Sequence, residues 1–484
     1  MPAHAVQLAA WRIAVSAVLL SSPELHEAVR WSEAPQELLV PPRVLLWPLE
    51  LVPIDPVAAR AALAIAVVCG VLSLIGLCSR AACAGAGIAA LYLLGIAQHA
   101  GTVTHDHHIV WFLALLAVSP CGDALSVDAA IRAYRAASRG VQPRRPSPSP
   151  AYALPLCFGW ALVGVIFFFP GAWKLLSAGH AWIAGDALLH HLHWKWTQMD
   201  WVPALRVDRS PWMCRAAGIA TIALELSFGV LVFVPRLRAW AVGAALLFHA
   251  LTAALMRVHF SSLWVCYVMF VDWDRVLRSV GHLLAPDGVQ VAHALDGSPR
   301  HRRMAVLRRL DVLALGRWSA TMDGATASVS RPAAPVHDPW PALLVGVPLL
   351  AANVVFGALG ITDGWPLACY PTFASTPGPM MPALVIEAVH ADGRVVEVMH
   401  GPALPGSRRQ RDWGVVWSLV GAAGTPVDQE RLFAYWRGLS SREPARSAAL
   451  DAERVRFYRA WQLTDPDRRH QAPVGRELLA EIVR

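Results

Sequence analysis

Charge is scarce in this chain. Asp, Glu, Lys and Arg make up 16% of its 484 residues, where soluble domains carry about 25%. A wholly water-exposed molecule is therefore excluded as the simplest reading. The eight cysteines form no C-x-x-C pair, which argues against a thiolate zinc site and a disulfide framework. No basic patch interleaved with aromatics is present, so nucleic acid is not an expected partner. The net charge of +8 sits largely in arginines beside apolar segments. A clean signal peptide is missing as well. The N-terminal apolar run is short, contains Arg12 and has no small-residue cleavage site, so it reads as a first membrane helix.

What is there in quantity is apolar sequence: 56% of the residues are hydrophobic, and 21 are Trp, a residue that gathers at bilayer interfaces. A span needs about 20 apolar residues. The candidates are 6–22, 58–78, 82–101, 107–121, 152–172, 213–234, 238–257, 259–271 and 341–360, of which the first, fourth and eighth are short. The expected fold class is an all-α polytopic membrane bundle of about eight to nine transmembrane helices, with a small external α+β C-terminal domain.

Arginine orients the bundle, because cytoplasmic loops are enriched in Lys and Arg. The 122–150 segment has Arg132, Arg135, Arg139, Arg144 and Arg145 against Asp123 and Asp128. Placing it inside also places Arg80, Arg236, Arg238 and the nine arginines of 272–340 inside. The acidic 23–57 loop then lies outside. The N-terminus is expected to be cytoplasmic and the C-terminus extracytoplasmic. The composition, rich in Ala, Arg, Trp and Pro, fits a bacterial inner membrane. Residues 141–150 read as an extended Pro/Ser spacer. Within 361–484, Leu384–Val389 and Val395–Val398 around Asp392-Gly393 read as a β-hairpin, and helical patterns follow at 428–439 and 450–462.

The polar residues converge on the outer end under this topology: His105, Asp106, His107 and His108 before the fourth span, then Trp173, Lys174 and Trp182 after the fifth. His249 lies within the seventh span. Lys174 is either a snorkelling lysine with its ammonium among headgroups or a lysine in an apolar pocket acting as a base. The His105–His108 group is either a catalytic or substrate-positioning cluster or an interfacial loop. Its spacing matches no sharp metal motif, and no metal is expected. His249 is either functional, as intramembrane ionisable residues tend to be, or a neutral histidine bridging two helices.

As an ordered set, several motifs resemble the HTTM family, the horizontally transferred transmembrane domains that include the vitamin K-dependent γ-glutamyl carboxylases. They are Arg12, His105-Asp-His-His108, Ser119-Pro-Cys-Gly-Asp-Ala-Leu-Ser-Val-Asp128, Phe168-Phe-Pro-Gly-Ala-Trp-Lys-Leu175 followed by Trp182, Phe248-His249 and Phe270-Val-Asp-Trp273. The resemblance covers roughly 1–280. It implies a reaction in which reduced vitamin K or menaquinol combines with O2, a glutamate γ-proton is removed, and CO2 adds at that carbon. It implies Lys174 as the base that deprotonates the quinol and His107 or His108 as its partner at the carbanion stage, with the register between the two left open. His105, Asp106, Trp173, Trp182 and His249 would shape the quinone pocket. The expected partners are the lipid bilayer, a lipid quinone and a protein or peptide substrate on the outer face. The family pattern before the fourth span is usually Asn-His, which this chain replaces with Asp106-His107 or His107-His108, and the external domain is shorter than that of the animal enzyme. A second stretch, 289–315, is similar to the start of DCC thiol–disulfide modules, with Asp296-Gly297 kept and Pro299 and Arg302 at the cysteine positions.

The domains expected are thus 1–280 as the HTTM bundle, 281–340 as a basic cytoplasmic segment of degenerate DCC type, 341–360 as an additional transmembrane helix, and 361–484 as the external domain. The function expected is a carboxylase-like lyase. The alternatives are another quinone-linked membrane enzyme, or a non-catalytic membrane protein that binds a partner through its external domain.

Overall fold

The computed structural model describes residues 3–39, 44–45, 53–99, 106–139, 146–284, 337–362, 364–367, 373–401, 415–416, 418–420, 427–440 and 443–483. The helical part runs α1 Ala5–Ser21, α2 Pro23–Ser32, α3 Pro56–Ile75, α4 Ser79–Gln98, α5 His107–Ala117, α6 Val127–Ser138, α7 Pro150–Ile183, α8 Ala187–Gln198, α9 Pro211–Leu231, α10 Arg238–Met256, α11 Ser261–Trp264, α12 Trp273–Leu284 and α13 Trp340–Leu359. The strands β1 Val44–Leu45 and β2 Gly364–Trp365 pair in parallel. The C-terminal part contains β3 Met380–His390, β4 Val395–Gly401, α14 Gln429–Ser440, α15 Glu443–Leu450, β5 Ala452–Leu463 and β6 Arg476–Val483. Its sheet is antiparallel, in the order β4-β3-β5-β6.

Local chemistry sets the helix ends. Asp55 accepts hydrogen bonds from the N–H groups of Val57 and Ala58, and Pro56 opens α3, where its missing donor costs nothing. Gly76, at φ +73°, stops α3, a conformation that glycine adopts without a Cβ penalty. Ser149 caps α7 in the same manner as Asp55, with Pro150 in the first turn.

Six helices, α3, α4, α7, α9, α10 and α13, are long and apolar enough to cross a membrane. The pair α1–α2, bent by 40°, adds a seventh if it is one span. That is compatible with a multi-pass membrane protein. Two expected spans differ from the reading of the sequence. The fourth is the 11-residue α5, about 17 Å long at 1.5 Å per residue, against the roughly 30 Å of a hydrocarbon core. The eighth is the four-residue α11 followed by a 3-10 stretch, Val265–Phe270. Both are packed inside the bundle: Ile109, Phe112, Leu113, Leu116 and Cys266 are fully buried. Non-standard backbone at membrane depth is tolerated where protein surrounds it.

The outward faces are apolar. Val57, Ile65 and Val68 on α3, Leu247 and Leu251 on α10, and Leu344 and Val347 on α13 are exposed, where small residues face inward. A Cβ added at Gly164 of α7 would lie 2.8 Å from the Gly229 backbone of α9. Small residues let helices approach this closely.

Contacts sort the loops into two ends. At one, Ser149 bonds to Ala3, Asp128 to Gly76, Cys78 and Ser79, His337 to Asp123, and His4 lies 3.5 Å from Asp274. This end gathers Arg80, Arg132 and Arg135, arginines of the loops that the sequence assigns to the inside. At the other end, β1 meets β2, the Trp365 indole donates to Leu91, and the sheet domain docks through Arg437–Glu37, Thr197–Thr464 and Arg206–Asp467.

The hairpin expected around Asp392-Gly393 is β3–β4, and the helix expected at 428–439 is α14. The helical reading of 450–462 does not hold, because that segment is β5, a central strand between β3 and β6. Its buried Val455 and Phe457 follow a two-residue period, and the helix falls earlier, at Glu443–Leu450. The DCC-like stretch 289–315 and residues 141–145 of the spacer lie outside the described residues.

Candidate functional site

Helix α7 runs for 34 residues, more than the roughly 20 that a bilayer core requires. It carries Pro155 and Pro170 internally and breaks at Ala178. Just before that break, Lys174 points into the bundle and is only 2% exposed. One turn earlier on the same helix, a Cβ on Gly171 would come within 2.8 Å of Glu225 on α9. This gap lets α9 close in until the Lys174 Nζ donates to both Glu225 carboxylate oxygens, at 2.6 and 2.8 Å. The Nζ also lies 5.2 Å from the centre of the Trp182 ring. An ion pair out of water is held by geometry, because each partner alone would be a costly buried charge.

The pair lines a cavity of about 500 Å³ between α7, α8, α9 and α10. Phe167, Leu192, Leu224, Phe248 and Leu263 make its walls apolar. His108, Trp182, His191 and His249 add polar edges, and Phe373 closes it from the segment that leads into the sheet domain. The His249 Nε2 meets the Tyr267 hydroxyl at 2.9 Å. The Trp182 Nε1 and the His249 Nδ1 are buried without a hydrogen-bond partner among the described residues. Buried polar atoms are nearly always paired, and these two belong to residues that line the cavity.

The structure brings Lys174, His108, Trp182 and His249 of the sequence-derived set to one cavity. It does not bring all of them. His107 turns away and packs 4.7 Å from the Trp365 ring. Trp173 donates to the Gly357 carbonyl on α13, at 2.8 Å. Asp106 is buried and accepts from the Ser22 hydroxyl at 3.1 Å. His105 lies outside the described residues. Glu225 escaped the reading of the sequence, although a lone acid inside the apolar run 213–234 was a signal. Among the described residues, no group of three His, Cys, Asp or Glu is placed to hold a metal ion.

Helix α8 flanks the cavity and is too short to span. Its His191 stacks on Trp182, and its Nε2 lies 2.8 Å from the Ser375 carbonyl. Burial pushes this imidazole down to about 4 and Lys195 down to about 8. His191 is therefore neutral when folded and charged more readily when unfolded, where its value is about 6.5. Its contribution to stability is complete above about pH 6.5 and is lost as pH falls toward 4. The fall in Tm between about pH 7 and about pH 4.5 is expected to be smaller in His191→Gln than in wild type. Equal falls would contradict this assignment.

No family model, curated protein or solved structure matches the chain. Fold and site together define a class instead: a predominantly helical bundle with six apolar helices of spanning length, holding an apolar cavity with a lysine–glutamate pair in its wall.

Proposed function

We propose that the chain is a multi-pass membrane enzyme of the HTTM type, carboxylase-like, which uses a reduced quinone such as vitamin K or menaquinol with O2 and CO2 to carboxylate glutamate. The observation that carries the reading is the Lys174–Glu225 pair in the wall of a largely apolar cavity.

A reduced quinone fits these residues. The volume of about 500 Å³ lies within the 300–1,000 Å³ typical of small-molecule sites. The unpartnered Trp182 Nε1 and His249 Nδ1 offer a donor and a second polar contact for ring oxygens. When bound with O2, the quinone supplies the strong base that removes a glutamate γ-proton. The protein does the rest. Phe167, Phe248 and Leu224 exclude water. The Lys174–Glu225 pair takes the hydroxyl proton of the quinol. His108, the one of the two candidate histidines in the cavity wall, takes the positioning role. The positive-inside rule makes the arginine-bearing end cytoplasmic, so Lys174 lies toward the outer face of a bacterial inner membrane. A peptide glutamate would reach it past Phe373, beneath the sheet domain.

The test is purified protein in nanodiscs given reduced vitamin K or menaquinol, O2, labelled bicarbonate and a glutamate peptide. The expected result is quinone epoxide together with label fixed into the peptide. Epoxide without fixed label points to a different quinone-linked enzyme. Neither product from folded protein, with any quinol, rules the reading out.

A further inference from the structure

The pair in the cavity wall has a consequence for where the proton goes. An ammonium beside a carboxylate holds as many protons as an amine beside a carboxylic acid. With the pair at rest as ammonium and carboxylate, the ion pair that the two short contacts from Nζ describe, one more proton can only go onto the carboxylate, leaving ammonium and carboxylic acid side by side. We infer that Glu225 is the residue that ends up carrying the proton removed from the quinol, while Lys174 serves as the fixed cation facing the anion left behind. This inference rests on the quinol reading of the cavity.

The geometry suits that division of labour. Nζ reaches both carboxylate oxygens, at 2.6 and 2.8 Å, so the lysine and the acid form one unit. Glu225 is also a wall residue of the cavity in its own right, and the only acid among its described walls. The other titratable groups there are Cys214, whose thiol donates to the Val207 carbonyl, and His108, His191 and His249. His191 is already engaged with the Ser375 carbonyl and His249 with the Tyr267 hydroxyl. In the step, the quinol O–H bond breaks, its electron pair stays on the oxygen, and the proton forms an O–H bond on Glu225. The site gains one positive charge as the ligand gains one negative charge, so the cavity stays neutral overall. That matters where apolar walls replace water.

Two substitutions separate this from a lysine acting alone. Arginine keeps the cation but cannot give up its proton. Lys174→Arg is therefore expected to retain roughly a tenth or more of wild-type epoxide formation, while Glu225→Gln loses at least about 100-fold, the lower bound for a general base. A lysine acting alone predicts the reverse. In Glu225→Gln its amine would be freed in an apolar pocket and remain active, and Lys174→Arg would be dead. That reversed pattern would overturn the inference. A second readout depends on neither turnover nor variant folding. Infrared difference spectra of wild-type protein, on addition of reduced quinone without O2, should show the carbonyl band of a newly protonated buried carboxylic acid. The band should shift when the protein's glutamate is carbon-13 labelled. No band on binding, or a band that glutamate labelling leaves in place, overturns the inference even if epoxide is made. A labelled band without epoxide supports it while the carboxylase reading fails. A quinol that does not bind sinks both.

Discussion

Lys174→Met is expected to destabilise the folded protein by about 3–5 kcal/mol, the cost of leaving one partner of a buried pair alone. Methionine keeps the length of the side chain and its apolar stem, so little packing is lost. What is lost is the cation that holds the Glu225 carboxylate, 6% exposed, in an apolar wall. The double variant Lys174→Met with Glu225→Leu should recover most of the loss, because well-packed apolar residues often replace a buried ion pair at no net cost. Unfolding in detergent, followed by heat or denaturant, reads both numbers. A single variant as stable as wild type would mean that the pair is not buried as described. A double variant as weak as the single would mean that packing, and not charge, sets the loss. Activity should vanish in both, which separates what the pair does for the fold from what it does for the reaction.

Arg12→Leu should have an effect of comparable size at the opposite end of the bundle. Arg12 is fully buried in α1. Its Nη1 donates to the Ser73 and Leu74 carbonyls, its Nε to Cys121 at 3.1 Å and its Nη2 to Leu125 at 2.7 Å. Two of these acceptors belong to the last turn of α3, where helix carbonyls run short of partners and Ser73 also accepts from the Gly76 N–H. The other two belong to the turn after α5. One guanidinium thus ties α1, α3 and that turn together. Leucine would take this donor from the Leu74, Cys121 and Leu125 carbonyls, at about 1–3 kcal/mol for each that stays unsatisfied, so a loss above about 3 kcal/mol is expected. Arg12→Lys should fall between, since an ammonium has three donors and lacks the planar fork. Thermal stability in detergent checks the order wild type, lysine, leucine. A leucine variant as stable as wild type would show that the junction does not hold the bundle together.

Much of this architecture is legible from apolar run length. The six helices of spanning length coincide with six of the runs, and Asp392-Gly393 marks its hairpin. Run length misleads where protein replaces lipid. The apolar residues of 107–121 and many of those in 259–271 are packed against protein, and a buried segment reads the same as a lipid-facing one. β5 was hidden for a related reason: Ala449, Ala452, Val455 and Phe457 also allow a helical spacing, and only pairing with β3 selects the strand. In the site, Lys174, Trp182 and His249 were legible as polar or aromatic residues at the ends and middle of apolar runs. The choice between His107 and His108 was not. Adjacent helical residues point about 100° apart, and which of them faces the cavity depends on the rotation of α5, set by tertiary packing. Glu225 was legible on the same ground, because an isolated acid within an apolar run is as diagnostic as a lysine or a histidine.

The most direct measurement compares wild type with Lys174→Ala in nanodiscs, each shown to be folded, given a reduced quinone and O2, with epoxide as the readout. The account predicts epoxide from wild type and a loss of at least about 100-fold in Lys174→Ala, the scale of loss when one group that stabilises developing charge is removed. Equal epoxide from both proteins, or none from folded wild type with any quinol, would contradict it.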